Sequence, residues 1–231
     1  MRFDWGLPGA QALGPGSAAV VVIVAVEAGT KVLPYPWRDG TAAEFAARQA
    51  AELAVGRTAM SAQQPWSLSR AALRRAPAPA RLVLPSPNGS AISAAVSGAP
   101  VIAASLRNVN AVACWIVQQG WGTEEQPIAV IAAGEHWPGQ DALRPALEDW
   151  LGAAALLAAL VENGAGPLSP EAWVAKVCYD SIEDVPALIA DCASGRELAG
   201  IGFADDVAVA TEIDASKVVP VLIDGAFTDA S

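Results

Sequence analysis

At 231 residues, with 53% hydrophobic and only 16% charged positions, the chain suits one large domain with a sizeable core and excludes a disordered protein. A formal net charge of −10, from 14 basic against 24 acidic residues, works against nucleic-acid binding, which needs clustered Lys and Arg to neutralise phosphates. The apolar residues come in short runs below the ~18 of a membrane helix, and MRFDWGLPGAQALGPG lacks the basic and apolar regions of a secretory signal. A cytoplasmic protein with no membrane partner is expected.

In chain order, β-branched runs predict strands at Ala18 to Val24, Thr30 to Pro34, Arg81 to Leu84, Pro100 to Ala104, Pro127 to Ala133 and Val218 to Ile223. Between them, helical patterns run over Thr41 to Leu53, Asn88 to Val96, Val109 to Gln119 and Arg144 to Asn163. Shorter ones follow at Pro170 to Val177, Asp184 to Asp191 and Asp205 to Glu212. Alternation of this kind predicts an α/β protein, a three-layer α/β/α domain over residues 1–231 with a parallel or mixed central sheet.

In such sheets ligands collect beyond the carboxyl ends of strands, where loops enter helices. Three turns qualify: Pro85 to Ser90, Ser105 to Asn110 and Gly134 to Asp141. In "RLVLPSPNGSAIS" a Pro-rich strand exit leads through Asn88-Gly89-Ser90 into a helix, aiming backbone N–H groups and hydroxyls outward as an anion cradle. The same residues also suit plain helix capping by Ser86 or Asn88 and a glycine turn. The arginines Arg70, Arg74, Arg75 and Arg81 form a solvated face or steer a small anion.

Carboxylates gather at Glu135, Glu148-Asp149, Asp205-Asp206, Glu212 and Asp214. They suit Mg²⁺, which needs one or two carboxylates beside substrate phosphate oxygens and water. Acids in first turns also simply favour the helix dipole. Cys114, Cys178 and Cys192 make no C-x-x-C pair and read as reduced thiols. The single His136 cannot anchor zinc alone but could move a proton.

The order of these segments resembles the 2-phosphosulfolactate phosphatase family, the Mg²⁺-dependent ComB-like phosphatases. "LVLPSPNGSAIS" resembles its Thr/Ser-x-Asn-Gly-Thr/Ser turn and carries over Ser86, Asn88, Gly89 and Ser90 as phosphate-binding residues. "VIAASLRNVNAVA" is similar to its Gly/Ala-Ser-x-x-Asn motif. Through it Ser105 joins the phosphate-binding set and Asn108 the catalytic set. "IAVIAAGEHWPGQDALRPALEDWLGAAAL" resembles its Ala-Gly turn and later Glu-Asp pair through Gly134, Glu135, Glu148 and Asp149. "GIGFADDVAVATEIDASKVVPVL" resembles its closing segment through Asp205, Asp206 and Asp214.

The resemblance implies hydrolysis of a phosphate monoester on a small hydroxy acid, 2-phosphosulfolactate or a related 2-phospho acid. Asn88, Gly89 and Ser90 would hold the phosphate, Glu148 or Asp149 would bind Mg²⁺, and Glu135, or less well His136, would position the attacking water. "QQPWSLSRAALRRAP" stands where the family has a Gly-Glu-Arg-Gly-Gly-like stretch, so Arg70 or Arg74 is expected to replace that arginine. A non-catalytic binding protein on the same fold is the competing class. Low polarity also points to a homo-oligomer.

Ala25 to Gly29 are five residues between two runs expected to be parallel strands, whereas a parallel crossover takes about a dozen or more. Either the two runs form a hairpin or about ten residues are missing near Val24 and Ala25; the second is expected.

Overall fold

The computed structural model describes residues 1–24, 30–36, 39–137 and 139–231. In chain order its elements are β1 (Arg2–Trp5), α1 (Gly6–Leu13), β2 (Ala19–Ile23), β3 (Lys31–Tyr35), α2 (Gly40–Arg48), β4 (Glu52–Leu53), α3 (Arg70–Arg75), β5 (Arg81–Pro85), α4 (Gly89–Ala95), β6 (Val101–Ala104), α5 (Val109–Gln118) and β7 (Ile128–Ala132). There follow β8 (Glu135–His136), β9 (Leu143–Arg144), α6 (Leu147–Glu162), α7 (Pro170–Asp180), α8 (Val185–Asp191), α9 (Ala193–Gly200), α10 (Ala204–Ala210), β10 (Pro220–Ile223) and β11 (Ala226–Asp229). Short 3₁₀ turns lie at Arg57–Ala59 and Leu106–Asn108.

Nine strands form one mixed sheet in the order β1-β7-β2-β6-β10-β11-β3-β5-β4, and helices cover both faces, giving the expected three-layer α/β/α arrangement. The central strands β2 and β7 are buried throughout, which explains why they read as unbroken apolar runs rather than alternating ones. Alternate residues go to opposite layers. Val21 and Ile23 of β2 pack with the α5–α6 layer, and Val20 and Val22 pack towards α1 and α4. Each fully buried Val or Ile contributes about 1.5–3 kcal/mol of transfer free energy. The helix α6, with Glu148 and Asp149 in its first turn, supplies much of the first layer.

All six strands expected from sequence form, with bounds moved by one or two residues. The expected helix Thr41 to Leu53 stops at Arg48, and Glu52–Leu53 pairs with β5 instead, because Ala50 adopts a φ of 48° that breaks the helix. Several elements were not foreseen: β1, α1, α3, α9 and the return strand β11. The hairpin of β10 and β11 turns through Asp224-Gly225 with both φ positive, the left-handed two-residue turn that an Asp-Gly dipeptide favours.

The runs flanking Ala25 to Gly29 are neither a hairpin nor parallel. Three strands, β6, β10 and β11, lie between β2 and β3, and the three antiparallel pairings across them make β3 run opposite to β2. That removes the need for a long parallel crossover. The expected gap near Val24 and Ala25 itself falls on residues outside the described ones.

This topology also positions the site. Sheets twist by about −20 to −25° per strand, so five steps from β2 to β5 accumulate roughly 100–125°. Residues just past the carboxyl ends of β2, β7 and β5, namely Val24, Ala133 and Ser86, nevertheless line one cavity. A Cβ built on Gly89, just past β5, would lie 2.2 Å from Cγ1 of Val24, just past β2. Only glycine allows that approach.

Candidate active site

The Pro85–Ser90 turn leaves β5 and enters α4 at Asn88. Capping would have Asn88 accept a backbone N–H of the first turn, but its side chain makes no cap bond. Its Nδ2 donates instead to Oε2 of Glu135, 3.2 Å away, and its Oδ1 is buried without a partner among the described residues. By helix geometry the first N–H groups of α4 lack intrahelical acceptors and face the same way. Ser90 is turned back, its hydroxyl donating to the Leu84 carbonyl at 3.3 Å.

Glu135 reaches Asn88 from the end of β7. Gly134, with φ of 69°, makes the turn that aims it, and a Cβ there would lie 2.6 Å from Leu143. The Gly134 N–H donates to Oδ2 of Asp149 at 2.8 Å, tying this turn to the first turn of α6. Burial, then the Glu148 carboxylate and more weakly Glu135, push the Asp149 carboxyl well above the usual range against the opposing pull of the Gly134 N–H and Arg70. Acids crowded in this way favour a cation beside them.

These groups line one cavity of about 160 Å³. Its polar wall combines Ser86, Asn88, Ser90, Glu135 and Asp149 with two cations, Arg57 and Arg70. Arg70 occupies the first position of α3, after the N-cap Ser69, and its Nε is buried without an acceptor among the described residues. Burial and then the charge of Arg57 lower the Arg70 pKa, while Asp149 and Asp206 oppose that shift. A desolvated cation of this kind favours an anion in the cavity.

The structure thus brings together Ser86, Asn88, Gly89, Ser90, Glu135 and Asp149 of the residues named from sequence. Ser105 and Glu148 line a smaller adjoining cavity of about 40 Å³, which shares Arg70 and Asp149 with the first. Glu148 there accepts the Ser194 hydroxyl at 2.6 Å. Asn108 lines neither cavity. It is buried, its Oδ1 accepts the Ser105 N–H at 2.8 Å in a capping box, and its Nδ2 donates to the Val218 carbonyl at 3.0 Å. His136 is half-exposed on an outer rim with Asp141.

The remaining acids are engaged elsewhere. Glu212 accepts a bidentate pair of 2.8 Å bonds from Arg74 and a further bond from Arg107, which pull its carboxyl down to about 2. Of the two candidates for the missing family arginine, Arg70 therefore lies at the cavity and Arg74 does not. Asp214 accepts from Asn110. Asp206 is wholly buried beneath Arg57 and Ser69. Arg57 was missed from sequence, where a lone arginine in "AVGRTAM" carries no signal.

Among the described residues no group of three or more His, Cys, Asp or Glu forms a metal cage. The donor chemistry still fits Mg²⁺, which takes one or two carboxylates and fills its shell with phosphate oxygens and water. Asp149 lines the cavity, with Glu148 and Glu135 close enough to perturb it.

The sequence model of a family described as 2-phosphosulpholactate phosphatase matches residues 65–225. Two curated relatives named "Probable 2-phosphosulfolactate phosphatase", from Thermotoga maritima and Thermotoga petrophila, are each 29% identical over 147 residues. The aligned part is 63% of this chain and 58% of either relative. No helix among the described residues is long and apolar enough to cross a membrane.

Proposed function

Because the chain belongs to the 2-phosphosulpholactate phosphatase family, we propose that it hydrolyses a phosphate monoester of a small hydroxy acid, 2-phosphosulfolactate or a related 2-phospho acid. The observation that carries this reading is Asn88. Its side chain leaves the helix it should cap and meets Glu135 at a cavity that Arg70 and Asp149 also line.

The phosphoryl group lies against the first N–H groups of α4 and Nδ2 of Asn88, with Arg70, which lines the same cavity, offsetting its charge. Ser86 adds a hydroxyl, and Gly89 lets the backbone approach. Glu135 accepts a hydrogen bond from the attacking water and orients it in line with the ester oxygen; Asn88 fixes the carboxylate for that task. Ser105 and Asn108 hold the neighbouring turn rather than the phosphate itself. Asp149, with Glu148 beside it, would hold Mg²⁺. When bound, that ion supplies charge neutralisation at the phosphoryl oxygens.

The test is phosphate release from 2-phosphosulfolactate and 2-phospholactate, with Mg²⁺ and with chelator. Metal-dependent release that falls in Asn88→Ala supports the proposal. No release from either ester, with phosphate still bound, would move the protein to the class of non-catalytic metabolite binders.

A further inference from the structure

Asp206 sits at the start of α10 with 0% of its surface exposed, yet it lines neither cavity. A buried carboxylate is costly unless fully hydrogen-bonded, and its two oxygens divide the work. Oδ1 accepts the Ser69 hydroxyl at 2.6 Å and the Ala71 N–H at 3.0 Å, clamping the first turn of α3 from which Arg70 enters the cavity. Oδ2 accepts Nε of Arg57 at 3.1 Å. The segments carrying the two arginines are joined as well, since the Val55 N–H donates to the Trp66 carbonyl and the Leu68 N–H returns to the Val55 carbonyl.

Two like charges do not gather in one small cavity unless something holds them there. We propose that Asp206 is a positioning residue for anion binding: one oxygen sets Arg70 through the α3 entry, and the other sets Arg57 directly. Among the acids that suit metal or helix dipole in sequence, Asp206 does sit in the first turn of α10, and both its oxygens are engaged by Ser69, Ala71 and Arg57. The proposal rests on the reading of the cavity as a phosphate site, but not on turnover.

Asp206→Asn is a selective probe, because the retained Oδ1 still serves Ser69 and Ala71 while the new amide replaces the oxygen that holds Arg57. The full chain is titrated calorimetrically with inorganic phosphate as wild type, Asp206→Asn, Arg57→Gln and the double variant, with thermal unfolding recorded for each. Binding about tenfold weaker in Asp206→Asn, with no further loss when it is added to Arg57→Gln, is the expected result. Unchanged binding in Asp206→Asn, or an equal loss in both backgrounds, would overturn the proposal, since a merely structural residue acts independently of Arg57.

If Asp206→Asn does not fold, Ser69→Ala decides. It removes one donor to Oδ1 and the α3 cap, so a several-fold loss of phosphate affinity upholds the proposal and unchanged affinity ends it. Phosphate binding without turnover in the wild type would remove the phosphatase reading and leave this one standing. Absence of phosphate binding would remove both.

Discussion

At the scale of single residues, Asn88 and Asp149 make opposite demands on the fold. Asn88 caps nothing, so Asn88→Ala should leave thermal stability close to wild type while lowering kcat/KM roughly 100-fold, the usual effect of removing one charge-stabilising donor. Asp149 is different. Its carboxyl titrates above its ordinary 3.8 in the folded protein, so the folded state binds the proton more tightly than the unfolded one. Stability therefore falls as pH rises from the unfolded value through the folded one. In chelator at pH 7, Asp149→Asn should raise the melting temperature. Mg²⁺ should raise that of the wild type and leave the variant's unmoved.

Glu212 gives the reverse sign. Arg74 and Arg107 hold its carboxyl down to about 2 from 4.5, so its contribution is present above the unfolded value and lost as pH falls through about 2. The pair with Arg74 is well exposed, and solvent screening keeps the contribution small. Denaturant titrations of wild type and Glu212→Gln should differ at pH 7 and converge near pH 2.

At the scale of elements, the site depends on how closely two strand ends approach. Gly89→Ala puts a methyl where Cγ1 of Val24 already lies, and overpacking of that kind costs about 1–3 kcal/mol. Backbone shift at the cradle should accompany it. The expected outcome is a lowered denaturation midpoint together with phosphate binding weaker than in wild type. A stable Gly89→Ala protein with intact binding would show that the β2 and β5 ends do not meet as closely as described.

At the scale of the whole molecule, the β10–β11 hairpin stands between two parallel groups of strands: β6 on one side and β3 on the other, each tied to it by an antiparallel pair. Phe227 and Val221 from this hairpin are buried in the two layers. The chain should therefore unfold in one transition, with near-UV and far-UV signals coincident. Deleting residues 219–231 should abolish that cooperativity and phosphate binding together, although every cavity residue named above would remain. Two separate transitions in the full chain would instead mean two independent units.

What could be read from the sequence was local chemistry. Buried strands such as Ala19–Ile23 and Ile128–Ala132 announce themselves because both faces are apolar, and the turns at Asn88 and Gly134 announce themselves through residue types that suit helix entry and positive φ. The Asp224-Gly225 dipeptide carries an equally local signal, for a left-handed hairpin turn. Strand direction was not legible: apolar runs do not say which way neighbouring strands point, so β3 looked parallel to β2 until the three strands between them were in place. Nor was the division of the carboxylates. Asp149, Asp206 and Glu212 are the same kind of residue in sequence, and only their neighbours decide that one faces the cavity, one holds its arginines and one closes an ion pair. Sequence by itself determined the kinds of groups available and the fold class; tertiary structure decided their partners, because contacts between residues more than a hundred positions apart depend on how distant elements pack together and not on any spacing along the chain.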